Sequence, residues 1–332
     1  MVNEPEVSIL MPVKNAEPFL DECIQSIRQQ SFVNWELIAV DDHSDDQSSA
    51  ILSDYSDRDN RVKTIKNKGD GIIDALCTAY DTSKGSFITR MDADDVMLSN
   101  KIQLLLEPIK DSPLSLSIGH VEYFSQVNLG NGYQKYAAWL NSTTEAFLTF
   151  ERIYRECTVP SPCWMTSRMI MEKCGAFRED RYPEDYDLAF RFKKIGTKLC
   201  PVNHIVHRWR DHPNRTSRTD QKYADNQFTP LKVFHFIKQD YSPAKPLVLW
   251  GAGRKGKQIA KSLLAHQLEF IWITNNPKKI GHDIYDIRIV DWKNLENAHP
   301  SQVIISISSE SFDESISAFM TQYTKHKYFR FS

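Results

Sequence analysis

The sequence has no long apolar run, no segment that resembles a secretory leader and no strong excess of either charge. A bilayer-spanning helix needs about 20 largely apolar residues, and no such stretch occurs, so we expect no transmembrane helix. The N-terminal residues lack a basic segment followed by an apolar one, which argues against a signal peptide. These absences predict a cytoplasmic protein and leave attachment to a membrane surface open.

Paired cysteines are also absent. None of the six cysteines belongs to a C-x-x-C pair, and most have apolar neighbours, as buried free thiols do. We therefore expect reduced thiols and no disulfide bonds. The net charge of −2 gives the chain no overall basic surface for a phosphate backbone, so nucleic-acid binding is not expected.

What the sequence does contain is an ordinary globular composition, in a chain long enough for about two domains. Of its 332 residues, 41% are hydrophobic and 25% are charged, which is typical of a soluble protein with a buried core. The first 95 residues alternate β-rich apolar runs with amphipathic segments, and the runs predict strands at Val7–Val13, Trp35–Asp42, 61–67 and 86–95. This β-α-β-α-β-α-β order predicts an α/β fold with a doubly wound, mostly parallel sheet.

Local signals set the predicted helix ends. Ser44 is a candidate N-cap for the second helix, and Gly85 is placed for the C′ position of the third. Residues 115–140 are aromatic and predicted to be strand-like. Two later helices are predicted to stop at Gly175 and Gly196.

The rest of the chain divides at Asp240–Lys245, a segment with proline and serine that we interpret as a linker. An aromatic helix is predicted before it, from Ala224 to Gln239. A second, smaller α/β unit is predicted after it, because strand-like and helical segments alternate again. The predicted domains are therefore residues 1–220, a helix and linker at 221–245, and a small domain at 246–332.

Carboxylates follow two of the predicted strands. The second strand ends in Asp41 and Asp42, and the fourth in Asp92, Asp94 and Asp95. Ligands of open parallel sheets bind beyond the carboxyl ends of the strands. Oxygen ligands so arranged suit Mg²⁺ or Mn²⁺ together with phosphate oxygens, although Asp and Ser are also common helix caps.

A second acidic group, Glu184, Asp185 and Asp187, opens a predicted helix. Acids in the first turn of a helix are favoured by the helix dipole, and that alone accounts for one or two of them. A general base for a hydroxyl nucleophile is the alternative interpretation.

A third group of candidate residues lies in the basic segment from His204 to Asp220. Its histidines lack a cysteine partner, so a structural zinc is disfavoured. The arginines either clamp a diphosphate, since guanidinium groups match phosphate oxygens, or belong to a solvated loop with salt bridges. The candidate residues for a phosphate or metal shell are His207, Arg210, His212 and Arg215.

A glycine motif lies in the tail, where Gly251, Gly253 and Gly256 have G-x-G-x-x-G spacing between a strand and a helix. Such a turn allows a phosphate to approach the helix N-terminus. The acid that usually binds ribose is missing, because the next strand ends in Thr274 and two asparagines. The motif therefore predicts either a structural or regulatory domain or a site for a nucleotide or another anion.

A resemblance to family 2 glycosyltransferases of the GT-A fold runs through most of the first 100 residues. It is carried by "VSILMPVKNAEPFLDECIQSIRQQSFVNWELIAVDDHSDD" and "SKGSFITRMDADD", and it resumes at "GAFREDRYPEDYDLAFRF". It covers residues 5 to about 220, two-thirds of the chain. The tail resembles the Rossmann-like domain attached to some sugar-processing enzymes.

The resemblance implies nucleotide-sugar contacts for residues of the first unit. Pro12 and Lys14 correspond to residues that flank the base. Asp42 corresponds to the acid that hydrogen-bonds the base edge, typically uracil, and Asp92 lies on the ribose side. His43 departs from the family, which usually has glycine there.

The resemblance also implies the reacting groups. Asp94 corresponds to the family's ligand of Mn²⁺ or Mg²⁺, and Asp95 to a supporting residue or a helix cap. Asp185 matches the general base. Family members often place a flexible segment over the donor after the base helix, so His207 or His212 is a candidate to complete the metal shell.

The function implied by this resemblance is an inverting, metal-dependent transfer of a hexosyl or N-acetylhexosaminyl group from a nucleotide-diphosphate sugar. The donor is expected to be a UDP-sugar and the acceptor a glycan or glycolipid of polysaccharide biosynthesis. One alternative is an inactive nucleotide-sugar-binding or regulatory protein. Another is a sugar-phosphate nucleotidyltransferase, which would need a glycine- and lysine-rich triphosphate loop that "MPVKNAEP" does not supply.

Overall fold

The computed structural model describes residues 4–125, 130–178, 180–213, 215, 218, 228–307 and 310–332, without the side chains of residues 310–313. The chain divides into two units, Met1–Glu151 with Cys157–Arg215 and Arg152–Glu156 with Thr216–Ser332. The domain limit predicted at residues 220 and 221 lies outside the described residues. No helix among the described residues is long and apolar enough to span a bilayer.

An eight-stranded sheet is the centre of the first unit. Its strands are β1 (Val7–Val13), β2 (Trp35–Asp41), β3 (Val62–Lys66), β4 (Phe87–Arg90), β5 (Val96–Met97), β6 (Ser115–Phe124), β7 (Trp164–Ser167) and β8 (Lys198–Arg210). Their order across the sheet is β3-β2-β1-β4-β7-β6-β8-β5. The β3-β2-β1-β4 half is parallel, whereas β7 and β5 run antiparallel to their neighbours. The α/β prediction with a doubly wound, mostly parallel sheet is confirmed.

Seven helices of the first unit lie between these strands in the described part of the chain. They are α1 (Glu17–Arg28), α2 (Ser48–Arg58), α3 (Ile72–Thr82), α4 (Lys101–Leu106), α5 (Asn131–Glu145), α6 (Arg168–Cys174) and α7 (Glu184–Lys194). Burying β1 on both faces explains its continuous apolar sequence, since Ile9, Leu10 and Met11 have no exposed surface. The helix stops predicted at Gly175 and Gly196 agree with the structure, where both glycines have positive φ.

Gly85 does not terminate α3, contrary to the prediction. The helix ends three residues earlier, at Thr82. The Gly85 N–H instead donates to Ser8 Oγ at 2.8 Å, and a Cβ at Gly85 would lie 2.6 Å from the backbone nitrogen of Ser8. Glycine is therefore required here by the close approach of two backbone segments.

Further expectations about local structure also differ from the structure. Ser44 does not cap α2, which begins at Ser48; the Ser44 hydroxyl accepts from the Asn15 N–H at 3.0 Å. The predicted strand-like region at residues 115–140 contains β6 but then helix α5, because aromatic residues there follow a helical spacing after Asn131. The basic segment, interpreted in part as a loop, begins inside the long strand β8.

The second unit has a six-stranded sheet of its own. Its elements in chain order are α8 (Thr229–Gln239), β9 (Leu247–Trp250), α9 (Arg254–Ala265), β10 (Ile271–Thr274), β11 (Asp283–Ile284), β12 (Ile287–Asp291), β13 (Gln302–Ile305), α10 (Glu310–Gln322) and β14 (Lys327–Arg330). The strand order is β11-β12-β10-β9-β13-β14, parallel except for the β11-β12 hairpin. The helix predicted from Ala224 has its first residues, 224–227, outside the described part.

Candidate active site at the carboxyl ends of the strands

The parallel register of β1, β2 and β4 brings their carboxyl ends to one edge of the sheet. Pro12 lies in β1 and pairs with Val40 of β2. Lys14 follows β1 and Asp42 follows β2, so both residues lie at the same edge of the sheet. Asp92 follows β4, the neighbour of β1 on the other side. The residues predicted to bind the nucleoside are thereby placed along one edge.

Asp42 is buried and hydrogen-bonded at this edge. Its Oδ1 accepts from Asn67 Nδ2 at 2.6 Å and from the Gly71 N–H at 2.9 Å, and its Oδ2 lies 3.2 Å from Lys14 Nζ. Burial alone would raise the pKa of Asp42, but the hydrogen bonds from Asn67 and Gly71 hold it below its usual value. The carboxylate is therefore ionised and fixed in one orientation.

His43 has a left-handed backbone, with φ of 57°. That conformation explains why glycine suits this position in similar sequences, because glycine adopts positive φ without strain. Here the histidine is held by its side chain, whose Nε2 lies 2.9 Å from the Gly69 carbonyl oxygen. This contact holds His43 in its left-handed conformation.

Arg90 joins the two acidic groups that the sequence places 90 positions apart. This buried guanidinium donates from Nε to Asp92 Oδ1 at 3.0 Å and from its NH1 nitrogen to Glu184 Oε1 at 2.7 Å. The acids after β4 and the start of α7 are therefore neighbours. An arginine shared between two carboxylates offsets their repulsion at both ends.

Asp185 follows Glu184 at the start of α7 and is partly exposed. Its Oδ1 accepts from the Tyr186 N–H at 2.7 Å. Burial and the neighbouring Glu184 carboxylate raise the pKa of Asp185 to about 7, and the Arg90 charge limits that rise. A carboxylate with such a pKa is suited to remove a proton from a hydroxyl near neutral pH.

Asp94 pairs with His212. Its Oδ2 lies 2.9 Å from His212 Nε2, and the imidazole packs against Phe19 with ring centroids 4.6 Å apart. Burial alone would raise the pKa of Asp94, but the His212 contact and the charge of Arg215 lower it. The structure thus brings together two residues predicted for the metal shell.

Asp95 faces the interior and is not a helix cap, because α4 begins at Lys101 with Asn100 at its N-cap. Its Oδ2 lies 2.9 Å from His207 Nε2, and its Oδ1 accepts from the Arg210 N–H at 2.8 Å. Burial and the carboxylates of Asp94 and Asp92 raise the pKa of Asp95.

His207 is fully buried, with both ring nitrogens occupied. Its Nδ1 lies 3.4 Å from Lys101 Nζ, and an ammonium group only donates, so Nδ1 accepts and Nε2–H donates to Asp95. Burial lowers the pKa of Lys101 to about 8 and the pKa of His207 well below its usual value, so the histidine is neutral. His207 therefore holds Asp95, in the loop after β4, from the protein interior. His212 instead contacts Asp94, and both of these side chains are partly exposed.

Arg210 and Arg215 supply positive charge around these acids. Arg210 Nε donates to the main-chain oxygen of Asp94 at 2.7 Å, and its NH2 nitrogen donates to Glu22 Oε2 at 2.5 Å. Burial alone would lower the pKa of Arg215, but Tyr123 and the carboxylate of Asp95 raise it. Arg210 is thus a positioning residue for the Asp94 loop, a role that the sequence interpretation did not foresee.

Several residues of the site were missed by the sequence interpretation. Arg90, Asn67, Lys101 and Glu22 were not among the predicted site residues, and their roles depend on contacts between distant segments. The position of Arg90, two residues before Asp92 and at the end of a buried strand, was a signal that could have been used. A buried arginine in such a place needs an acidic partner.

Residues 8–175 match the sequence family described as Glycosyl transferase family 2. That match takes in half of the chain, and the chain belongs to this family. It is accordingly a glycosyltransferase.

Named relatives agree with the family. The chain is 33% identical over 224 residues to the glycosyltransferase GlyG of Streptococcus pneumoniae, which spans 64% of this chain and 73% of GlyG. It is 36% identical over 112 residues to the glycosyltransferase EpsJ of Bacillus subtilis, a stretch of 34% of this chain and 33% of EpsJ. It is 33% identical over 117 residues to the Escherichia coli enzyme WfgD, which covers 35% of this chain and 46% of WfgD. WfgD is a UDP-Glc:alpha-D-GlcNAc-diphosphoundecaprenol beta-1,3-glucosyltransferase.

Solved structures share the fold at low sequence identity. Residues 1–349 of TarS from S. aureus, in complex with UDP-GlcNAc, superpose with a TM-score of 0.57 at 16% identity, covering 79% of this chain and 72% of TarS. The mannosyltransferase PcManGT of Pyrobaculum calidifontis, in complex with GDP-Man and Mn²⁺, superposes with a TM-score of 0.50 at 15% identity. That superposition covers 73% of this chain and 67% of the mannosyltransferase.

Proposed function

We propose that this glycosyltransferase is inverting and metal-dependent, and that it moves a sugar from a UDP-sugar to a hydroxyl group of a glycan or glycolipid. The observation that carries the proposal is the Arg90 bridge, which sets Glu184 and Asp185 beside the acids that follow β4. The residue proposed as the base is thereby near the residues proposed for the donor. A cytoplasmic location stays a prediction from the sequence.

The residues proposed for the donor are Pro12, Lys14, Asp42 and Asp92. Asp42 is held ionised and oriented, so it is suited to accept hydrogen bonds from the N–H edge of a base such as uracil. Lys14 Nζ, 3.2 Å from Asp42, adds a donor at the same end. The UDP-sugars named for WfgD and TarS support this choice of nucleotide.

The donor atoms beside Asp94 fit a divalent cation. Metal–oxygen distances of about 2.1 Å in an octahedral shell put adjacent ligand atoms about 3 Å apart. Asp94 Oδ2 and His212 Nε2 are 2.9 Å apart, so both can belong to one shell that diphosphate oxygens and water complete. Among the described residues no group of three His, Cys, Asp or Glu side chains is arranged to hold a metal alone. The imidazole favours Mn²⁺ over Mg²⁺, and a bound ion would neutralise charge on the departing diphosphate.

Asp185 is proposed to take the proton of the acceptor hydroxyl as its oxygen attacks the anomeric carbon. The bond from that carbon to the diphosphate breaks on the opposite face, so a single displacement inverts the configuration. Arg90 keeps the Asp185 end of α7 beside Asp92 during this step. The acceptor proposed, by analogy with WfgD, is a sugar linked through a diphosphate to a lipid.

A donor panel tests this function. The purified chain, with Mn²⁺ and N-acetylglucosamine linked to undecaprenyl diphosphate as acceptor, is expected to release nucleoside diphosphate fastest from a UDP-sugar. Parallel reactions with GDP- and dTDP-sugars and with EDTA check the donor base and the metal. Faster release from a GDP- or dTDP-sugar would contradict the UDP assignment, and full release in EDTA would contradict the metal.

The pH dependence of kcat/KM should report the ionisation of Asp185. Only the ionised carboxylate accepts a proton, so kcat/KM is expected to rise with pH through about 7. In Glu184→Gln the amide oxygen still accepts from Arg90 but the neighbouring negative charge is gone, so the pKa of Asp185 and the midpoint should move down by about 1 unit. The matched control Glu172→Gln changes an exposed acid on α6 and should leave the midpoint in place. An unchanged or higher midpoint in Glu184→Gln would show that another group titrates.

A further inference from the structure

A basic cleft of about 380 Å³ opens beside the glycine turn of the second unit. Its walls include Gly253 and four cationic side chains, Arg254, Lys257, Lys261 and Lys279. No carboxylate lines the cleft in the part of the chain that the structure describes. This concentration of positive charge contrasts with the net charge of −2 of the whole chain.

The cations come from two segments that converge. Arg254, Lys257 and Lys261 have i, i+3 and i+7 spacing on α9, which places them on one helix face. The ammonium group of Lys279, in the turn after β10, donates a hydrogen bond to the carbonyl oxygen of Ala252 in the glycine turn. Within the described residues no carboxylate lies within ion-pair distance of Lys257, Lys261 or Lys279. Like charges gathered in this way repel one another, and a bound anion would relieve that repulsion.

The three glycines of the turn differ in what the fold requires of them. Gly251 has φ of 120°, and a Cβ there would lie 2.5 Å from Ser306 Oγ. A Cβ at Gly256 would lie 2.0 Å from the carbonyl oxygen of Gly251. Gly253 is different, because its φ of −77° suits any residue and a Cβ would meet no atom within 4 Å. The fold itself does not require glycine at Gly253, and the missing side chain leaves the backbone at the start of α9 open to a ligand in the cleft.

The rest of the cleft defines the kind of anion. Where a dinucleotide site has a ribose-binding acid after its second strand, this chain has asparagines and then Lys278 and Lys279. The exchange of an acid for lysines favours phosphate groups there over a ribose hydroxyl. Tyr285, 38% exposed at the β11-β12 turn, lines the same cleft and offers an aromatic surface.

We propose that this cleft is a second, non-catalytic site that binds a nucleoside diphosphate. The phosphates lie at Gly253 and the lysines of α9, with Lys279 closing the other side. The nucleoside lies against Tyr285. The site belongs to the second unit alone and is separate from the sugar-transfer chemistry.

Binding to the full chain with its donor site disabled tests the proposal. In the double variant Asp42→Ala, Asp94→Ala, calorimetric titrations with UDP and with ADP are expected to show one remaining site for at least one of them. Adding Gly253→Ala should weaken that site at least about tenfold, the cost of losing close backbone contact with a charged group. Lys257→Gln should weaken it similarly and reduce its salt dependence.

Matched controls separate binding from folding. Lys255→Gln removes a cation from the same turn of α9 but outside the cleft, and should change affinity less than about twofold. Gly253→Ala should leave the unfolding temperature nearly unchanged, because the added methyl group meets nothing. Absence of any site for UDP and ADP at about 1 mM, or binding unaffected by both Gly253→Ala and Lys257→Gln, would overturn the proposal. Pyrophosphate that binds as tightly as either nucleotide would overturn the nucleoside contact.

Discussion

Replacing Asp185 with asparagine is expected to lower the rate of sugar transfer by about 10²- to 10⁴-fold, the usual contribution of a positioned general base. Asparagine has nearly the same shape, and its side-chain oxygen still accepts from the Tyr186 N–H that Asp185 now engages at 2.7 Å. Arg90 keeps its bonds to Asp92 and Glu184, so the start of α7 stays in place. The amide cannot take a proton, and only the chemical step is lost.

Two measurements isolate that loss. The kcat of Asp185→Asn is compared with its dissociation constant for the UDP-sugar, which should stay within about threefold of the parent value because the proposed donor contacts are unchanged. Asp180→Asn makes the same chemical exchange at an exposed acid four residues before the start of α7, and is expected to leave kcat unchanged. Transfer by Asp185→Asn at the parental rate would assign the base to another group.

The first half of the large sheet could be predicted because its signals are local. A strand buried on both faces must be apolar at every position, so Val7–Val13 has the bounds that its sequence predicts. Strands that alternate with helices must be parallel, which places Asp42 and Asp92 at one edge. The location of the candidate site therefore followed from patterns of at most ten residues each.

The partners within the site could not be predicted in this way. Arg90 and Glu184 are 94 positions apart, and Asp95 and His207 are 112 apart. The Arg90–Glu184 pair joins the end of β4 to the start of α7. The Asp95–His207 pair depends on β8, whose polar and basic residues concealed a strand that is paired with β6 on one side and β5 on the other. Long-range pairing overrides local propensity in such a strand.

The three acids of "FITRMDADD" illustrate the same limit. Local reasoning identifies the repulsion between the three carboxylates but not the different residue that each of them contacts. In the structure Asp92 contacts Arg90 and Asp94 contacts His212. Asp95 instead accepts a hydrogen bond from the neutral His207, and burial together with the other two carboxylates raises its pKa. Asp92 and Asp94 are both partly exposed, but the neighbour of Asp92 is a guanidinium, whereas Asp94 has the metal-binding His212 Nε2 beside it. The metal proposal therefore rests on Asp94.

Removing the Asp94 carboxylate is expected to abolish the Mn²⁺-dependent part of UDP binding and to lower sugar transfer by about 10³-fold. Stabilisation of a leaving diphosphate by a metal ion contributes several kcal/mol, and each 1.36 kcal/mol corresponds to about tenfold in rate. In Asp94→Ala the loop should keep its position, because Arg210 Nε bonds the main-chain oxygen of residue 94 at 2.7 Å. Asp42 and Lys14 are unchanged, so the metal-independent affinity for UDP should remain.

Two measurements separate the Mn²⁺-dependent and metal-independent parts of UDP binding. Electron paramagnetic resonance measures free Mn²⁺, and UDP is titrated in the presence and in the absence of Mn²⁺. His212→Ala should weaken Mn²⁺ binding less than Asp94→Ala does, because the carboxylate supplies charge as well as a ligand atom. Asp70→Asn removes an acid whose side chain is 87% exposed at the base end, 3.7 Å from Lys14, and should leave the Mn²⁺ dependence unchanged. Should Asp94→Ala bind UDP with the full Mn²⁺ dependence, the cation would have to be held elsewhere, and the pair formed by Asp94 and His212 would then be an ordinary salt bridge.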